Sequence, residues 1–79
     1  QIDETHFNVF PSPASNDLYI DGPKEEYSLK IFNIYGQLFQ SINNINGKQK
    51  IDVSSLPIGL YILKLNYNES FKTMRFVKQ

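Results

Sequence analysis

The chain has 79 residues, 8 Lys+Arg against 8 Asp+Glu, 41% apolar side chains, and neither cysteine nor tryptophan. That length holds one domain at most, and that apolar share is enough to collapse a core. The lack of cysteine excludes a disulfide scaffold, a cysteine-ligated zinc site and a thiol nucleophile, while zero net charge argues against nucleic acid as a partner. No apolar run approaches the roughly 18 residues of a membrane-spanning helix. The chain begins at Gln1, which points to a fragment or a processed product, with any signal peptide upstream.

Helix is the weaker reading almost everywhere. Nine Ile, six Phe and five Tyr favour a pleated, half-buried surface, and Ala14 is the single alanine. Eight Asn cluster where apolar runs stop, which is turn chemistry. Residues 1–6 are polar and read as a linker remnant, followed by one domain over 7–79. Within it, residues 7–10 form a first short strand, stopped by Pro11-Ser12-Pro13. The two prolines remove two backbone donors, so this tract is extended without pairing as a central strand. Residues 18–21 form a second strand, ended by Gly22-Pro23. Residues 27–35 form a third, with Tyr27, Leu29 and Ile31 on one face and Ser28 and Lys30 on the other. Asn33-Ile34-Tyr35-Gly36 is a tight turn that needs positive φ at Gly36, and residues 38–42 return as the hairpin partner.

Asn46-Gly47 is a second hairpin signal. Residues 48–53 form a polar strand ending at Ser54-Ser55, and Leu56-Pro57-Ile58-Gly59 makes a compact corner. The longest apolar strand is 60–67, where Tyr61, Leu63, Leu65 and Tyr67 face one way. Asn68-Glu69 is the last turn, and 70–77 the final strand, whose buried side the pattern leaves open. About seven short strands between turn signals predict an all-β fold, a small immunoglobulin-like antiparallel β-sandwich.

The chain offers little for catalysis. His6, the single histidine, sits in the polar lead-in and reads as a solvated linker residue. Ser54-Ser55 lack the Gly-x-Ser-x-Gly frame and read as turn residues. Glu25-Glu26 stand at a turn tip, where carboxylates are simply hydrated. Asp17 and Asp21 flank a strand, but their spacing is not that of a calcium loop. The four glycines are scattered singly, so there is no phosphate loop. Lys30-Ile31-Phe32-Asn33-Ile34-Tyr35-Gly36 interleaves a base with aromatics, which core and hairpin packing explain better than nucleic acid does. No enzyme activity, metal or cofactor is therefore expected.

Three stretches carry a resemblance. Phe10-Pro11-Ser12-Pro13-Ala14 resembles the Tyr-Pro-Asn-Pro-Ala opening of type A C-terminal sorting domains of the type IX (Por) secretion system. Lys30 through Leu38 resembles their middle hairpin, and Leu56-Pro57-Ile58-Gly59-Leu60-Tyr61 their Leu-x-x-Gly-x-Tyr block. The chain ends in Arg75-Phe76-Val77-Lys78-Gln79, similar to the family's short basic finish. The likeness runs from about Phe7 to Gln79. Two departures stand out: Ser12 replaces the usual Asn, and Phe10 replaces the usual Tyr, losing a hydroxyl.

The resemblance implies a folded address label carried by proteins of Bacteroidetes-type bacteria. After periplasmic transit, shuttle and translocon proteins of the outer membrane recognise it and move the cargo lying N-terminal to Gln1 to the cell surface or outside. A sortase-like cysteine peptidase then removes the label within residues 1–8 or just upstream, and the cargo can be joined to an anionic lipopolysaccharide. By position, Pro11, Pro13 and Ala14 stand in the opening motif, Gly36 in the middle turn, Leu56, Gly59 and Tyr61 in the late block, and Lys78 in the basic terminus. Two readings of these residues stand side by side: direct recognition, or upkeep of the fold. By strand addition, residues 70–77 and the tail would be presented to the machinery, with Pro11 and Pro13 guarding the opposite end. Two other functions compete. One is a carbohydrate-binding accessory module, which expects a coplanar strip of exposed aromatics; the other is a structural spacer.

Overall fold

The computed structural model describes residues 7–79. The polar lead-in, with His6 and the expected cleavage region at residues 1–6, lies outside them. Seven strands follow in order: β1 (Asn8–Phe10), β2 (Asp17–Asp21), β3 (Tyr27–Asn33), β4 (Leu38–Ile45), β5 (Lys48–Asp52), β6 (Gly59–Tyr67) and β7 (Ser70–Lys78). They form two antiparallel sheets, one ordered β1-β2-β5 and the other β4-β3-β6-β7. The expected small β-sandwich is the observed fold.

Two-residue alternation builds the core. Tyr27, Leu29 and Ile31 of β3 and Tyr61, Leu63 and Leu65 of β6 turn inward and are buried. Leu18 and Ile20 of β2 and Ile51 of β5 are buried from the other layer. Each such side chain contributes about 1.5–3 kcal/mol by leaving water. Phe7, just ahead of β1, closes one end: its ring meets Tyr27 edge-on at 5.1 Å and Tyr67 at 6.3 Å.

Three details differ from the sequence reading, and a fourth answers what it left open. β3 stops at Asn33, because the Asn33 Oδ1 accepts the amides of Tyr35 (2.9 Å) and Gln37 (3.0 Å) and bends the chain. β4 continues to Ile45, which is buried opposite Tyr27. Asn46-Gly47 is not a hairpin: β4 pairs with β3, β5 pairs with β2, and the chain changes sheet between them. The main chain of Gly47 finds its partners in another loop. Its carbonyl accepts from Gly22 N (3.0 Å) and Tyr27 Oη (2.6 Å), and its amide donates to Pro23 O (2.7 Å). Finally, β7 buries its Phe76 and Lys78 side, while residues 70–73 are exposed on both faces.

Candidate functional site

The last residues of β7 are held from two sides. Toward the interior of the sheet, β7 pairs with β6 along its full length, Gly59 opposite Lys78 and Tyr61 opposite Phe76. On its other edge stands the opening segment. Ala14 N donates to Val77 O (2.7 Å), Gln79 N donates to Ala14 O (2.9 Å), and Val77 N donates to Ser12 Oγ (3.2 Å). Ala14 and Lys78 thus form a short parallel bridge. Prolines on both sides of Ser12 limit this contact to one residue pair, since neither can donate to a ladder. Pro11 and Pro13 therefore do not guard an opposite end, as the sequence suggested; they flank the tail itself. By strand alternation, the main-chain groups of Phe71, Thr73 and Arg75 face this same edge, and among the described residues no strand pairs with it.

The late block forms the floor beneath. The Tyr61 hydroxyl donates to Pro57 O at 2.6 Å, tying the corner to the strand that follows it. Its ring stacks on Phe76 at 5.5 Å and contacts Phe39 at 5.7 Å. Burial pushes the Tyr61 phenol above its ordinary value of 10.0. Leu56 is buried, and its amide donates to Val53 O at 3.0 Å. Gly59 and Gly36 adopt φ of +155° and +84°, with open space around both. Backbone conformation, not crowding, is what selects glycine at these two places. A shallow groove runs between the turn at 34–35 and the corner at 57–60, rimmed by the exposed Ile34, Tyr35 and Ile58.

All eight motif positions thus lie at one end of the sandwich, though they are spread over 68 residues of chain, from 11 to 78. Ala14, Leu56, Tyr61 and Lys78 are 0%, 7%, 3% and 7% exposed. The Lys78 ammonium donates to the Gln79 oxygen at 2.9 Å. Sequence reasoning missed two participants: Ser12, whose hydroxyl stands in for an edge acceptor, and Asn33, whose side chain shapes the middle turn. A serine between prolines and an asparagine three residues before a glycine were the signals available.

Elsewhere three carboxylates, those of Asp52, Glu25 and Glu26, have hydrogen-bond partners. Ser54 donates to Asp52 Oδ1 through both its amide (2.9 Å) and its hydroxyl (2.6 Å), and these bonds, the hydroxyl first, hold the Asp52 carboxyl below its ordinary 3.8. Glu25 accepts from Tyr67 Oη at 2.7 Å and Glu26 from Asn44 Nδ2, so neither is merely hydrated. The exposed aromatics of the strands are divided between the two sheets. Phe10 and Tyr19 stack on each other at 5.7 Å on one sheet, while Phe71 lies beneath the Lys64 ammonium on the other. Phe10 thus uses its ring where the family's usual tyrosine would add a hydroxyl.

The fold and this latched end define a small antiparallel β-sandwich that clasps its own C-terminal strand with its opening segment. The model of the secretion system C-terminal sorting domain family matches residues 8–79, and the chain belongs to that family. It is a C-terminal sorting signal of the type IX secretion system, which implies interaction with that system and points to export to the cell surface or the exterior. It is also 30% identical over 67 residues to beta-agarase A of Zobellia galactanivorans, a match covering 82% of this chain and 12% of that protein. The chain thus spans about an eighth of the curated relative it matches.

Proposed function

We propose that the domain is recognised as a folded object and performs no chemistry of its own. After periplasmic transit, shuttle and translocon proteins would take hold of the open edge of β7 and its tail. Addition of a strand there supplies main-chain hydrogen bonds without requiring a particular side-chain sequence. One observation carries this reading. The motif side chains Ala14, Leu56, Tyr61 and Lys78 are buried, whereas the edge of β7 ahead of the latch is open. A partner cannot touch the former without opening the domain, so their role is to hold the end in shape. Pro11, Pro13, Gly36 and Gly59 contribute backbone geometry to the same end.

The label would occupy residues 7–79, with the cargo before Gln1. Removal by a sortase-like cysteine peptidase would fall ahead of Phe7, within residues 1–6 or upstream, a reading supported by the burial of Phe7 against Tyr27 and Tyr67. Joining of the cargo to an anionic lipopolysaccharide, or its release, would follow. The test is to fuse residues 1–79 to the C-terminus of a neutral periplasmic reporter in a bacterium that has this system. Surface exposure of the reporter is the expected result, with its new C-terminus ahead of Phe7 by mass spectrometry. Retention in the periplasm refutes the address-label reading.

A further inference from the structure

The charges of this neutral chain are unevenly placed. The four strands of the larger sheet contain no Asp or Glu, yet carry Lys30, Lys64, Lys72, Arg75 and Lys78. All 8 acids lie in the smaller sheet, the loops or the lead-in. Alternation with the buried Leu29, Ile31, Leu63 and Leu65 turns Lys30 and Lys64 to the outer face, where they are direct cross-strand partners. Like charges directly opposite each other are destabilising. Nothing on the face offsets this pair, since the neighbours in the same row are Ser41 and Thr73. Lys64 leans over the Phe71 ring at 4.5 Å, and Arg75 of β7 stands opposite Ile62, at the end of the neighbouring row.

Apolar rows lie beside the cationic one. Leu38, Phe32 and Ile62 stand side by side across β4, β3 and β6, and Leu60 and Val77 form the next pair. Leu38, Leu60 and Val77 are 52%, 41% and 41% exposed, whereas Phe32 and Ile62 are half-buried. Exposed and half-buried apolar side chains beside a cationic pair suit close packing against another protein surface.

We propose that the outer face of β4-β3-β6-β7 docks on a folded protein surface that sets carboxylates opposite Lys30 and Lys64 and apolar side chains opposite Leu38, Phe32 and Ile62. This rests on the sorting role, and the partner belongs to the export apparatus. It differs from strand addition at β7, because it uses a sheet face and side-chain charge.

The test uses the same reporter fusion with K30E/K64E, and with K24E/K50E as a control of equal charge change off the face. Thermal melts should show K30E no less stable than wild type, since that single change removes the like-charge opposition. Surface display of K30E/K64E should fall at least about tenfold, while K24E/K50E displays at the wild-type level. Normal display of folded K30E/K64E overturns the proposal and leaves the sorting role intact, as does an equal loss in the control. Sedimentation of the purified wild-type domain, but not of K30E/K64E, with phosphatidylglycerol–phosphatidylcholine vesicles overturns it in favour of a membrane surface. A wild-type fusion that stays inside overturns the sorting role and this proposal with it.

Discussion

Tyr61 is the residue at which fold upkeep and direct recognition can be separated most cleanly. Tyr61→Phe deletes one hydroxyl and leaves the ring between Phe39 and Phe76. The lost bond to Pro57 O is part-buried, and the freed carbonyl lies on an exposed corner where water can reach it. The loss should therefore be about 1 kcal/mol, which lowers Tm by about 4–8 °C in a domain of this size. Tyr61→Ala also removes a ring that is 3% exposed, a change of about 3–5 kcal/mol. Total stability for 79 residues is on the order of 4–12 kcal/mol, so the alanine variant retains little. Circular dichroism melts, run beside surface display of the reporter, give the comparison. Tyr61→Phe should melt lower yet be exported normally, and Tyr61→Ala should lose both. The phenol adds a pH signature. Its value is raised by burial, so its contribution is complete below 10.0 and is lost as pH rises through the folded value. Tyr61→Phe should flatten that alkaline fall. A folded Tyr61→Phe that fails to export would refute the upkeep role, and a Tm change below about 2 °C would refute the tied corner.

Three other outcomes follow from the same structure. A methyl group at Gly22 would stand 2.8 Å from the rings of Phe7 and Tyr27, so Gly22→Ala should cost about 1–3 kcal/mol in a urea titration. Asp52 is held below its ordinary 3.8 by Ser54, so its contribution is present above 3.8 and lost as pH falls through the lowered value. The acid limb of the melting profile should therefore be shallower in Ser54→Ala, with the two curves converging in strong acid. Deleting residues 75–79 removes the buried Phe76 and all three latch bonds. That truncation should show no cooperative melt and leave the reporter inside the cell, and ordinary display of it would exclude the tail from the mechanism.

What the sequence made legible was local. The hairpin of β3 and β4 follows from the alternation of Tyr27, Leu29 and Ile31 and from Gly36, and both appear in the structure where the pattern placed them. The change of sheet at Asn46-Gly47 was not legible, because a hairpin and a crossover use the same local turn chemistry. The choice was made by Gly22, Pro23 and Tyr27, which lie about 20 residues away. The buried side of β7 was obscured for a related reason. Phe71 is apolar but 64% exposed under Lys64, because alternation from the buried Phe76 puts it on the outer face of the sheet. The meeting of Ser12 and Ala14 with residues 77–79 joins positions more than 60 residues apart, and no window along the chain carries a trace of it.

The motif and the accessible surface answer different questions. Residues that stand out in the sequence sit at turns, corners and buried aromatics, and of these Ala14, Leu56, Tyr61 and Lys78 are positions that a partner cannot reach, whereas Pro11, Pro13 and Gly36 are exposed. Lys30 and Phe32 fall in the middle-hairpin stretch, but together with Ile62 and Lys64 they make no recognisable pattern, since alternating polar and apolar residues on an outward face satisfy any sandwich. Their meaning appears only once the register sets Lys30 against Lys64 and Phe32 against Ile62. The closing devices are thus buried geometry, while the proposed contact face is set by charge and shape. Single substitutions in the buried set should then act through stability and scale with ΔΔG. Substitutions on the cationic face should reduce display at unchanged Tm, and a plot of display against Tm for both sets should separate into two lines. One common line would mean that export senses stability alone.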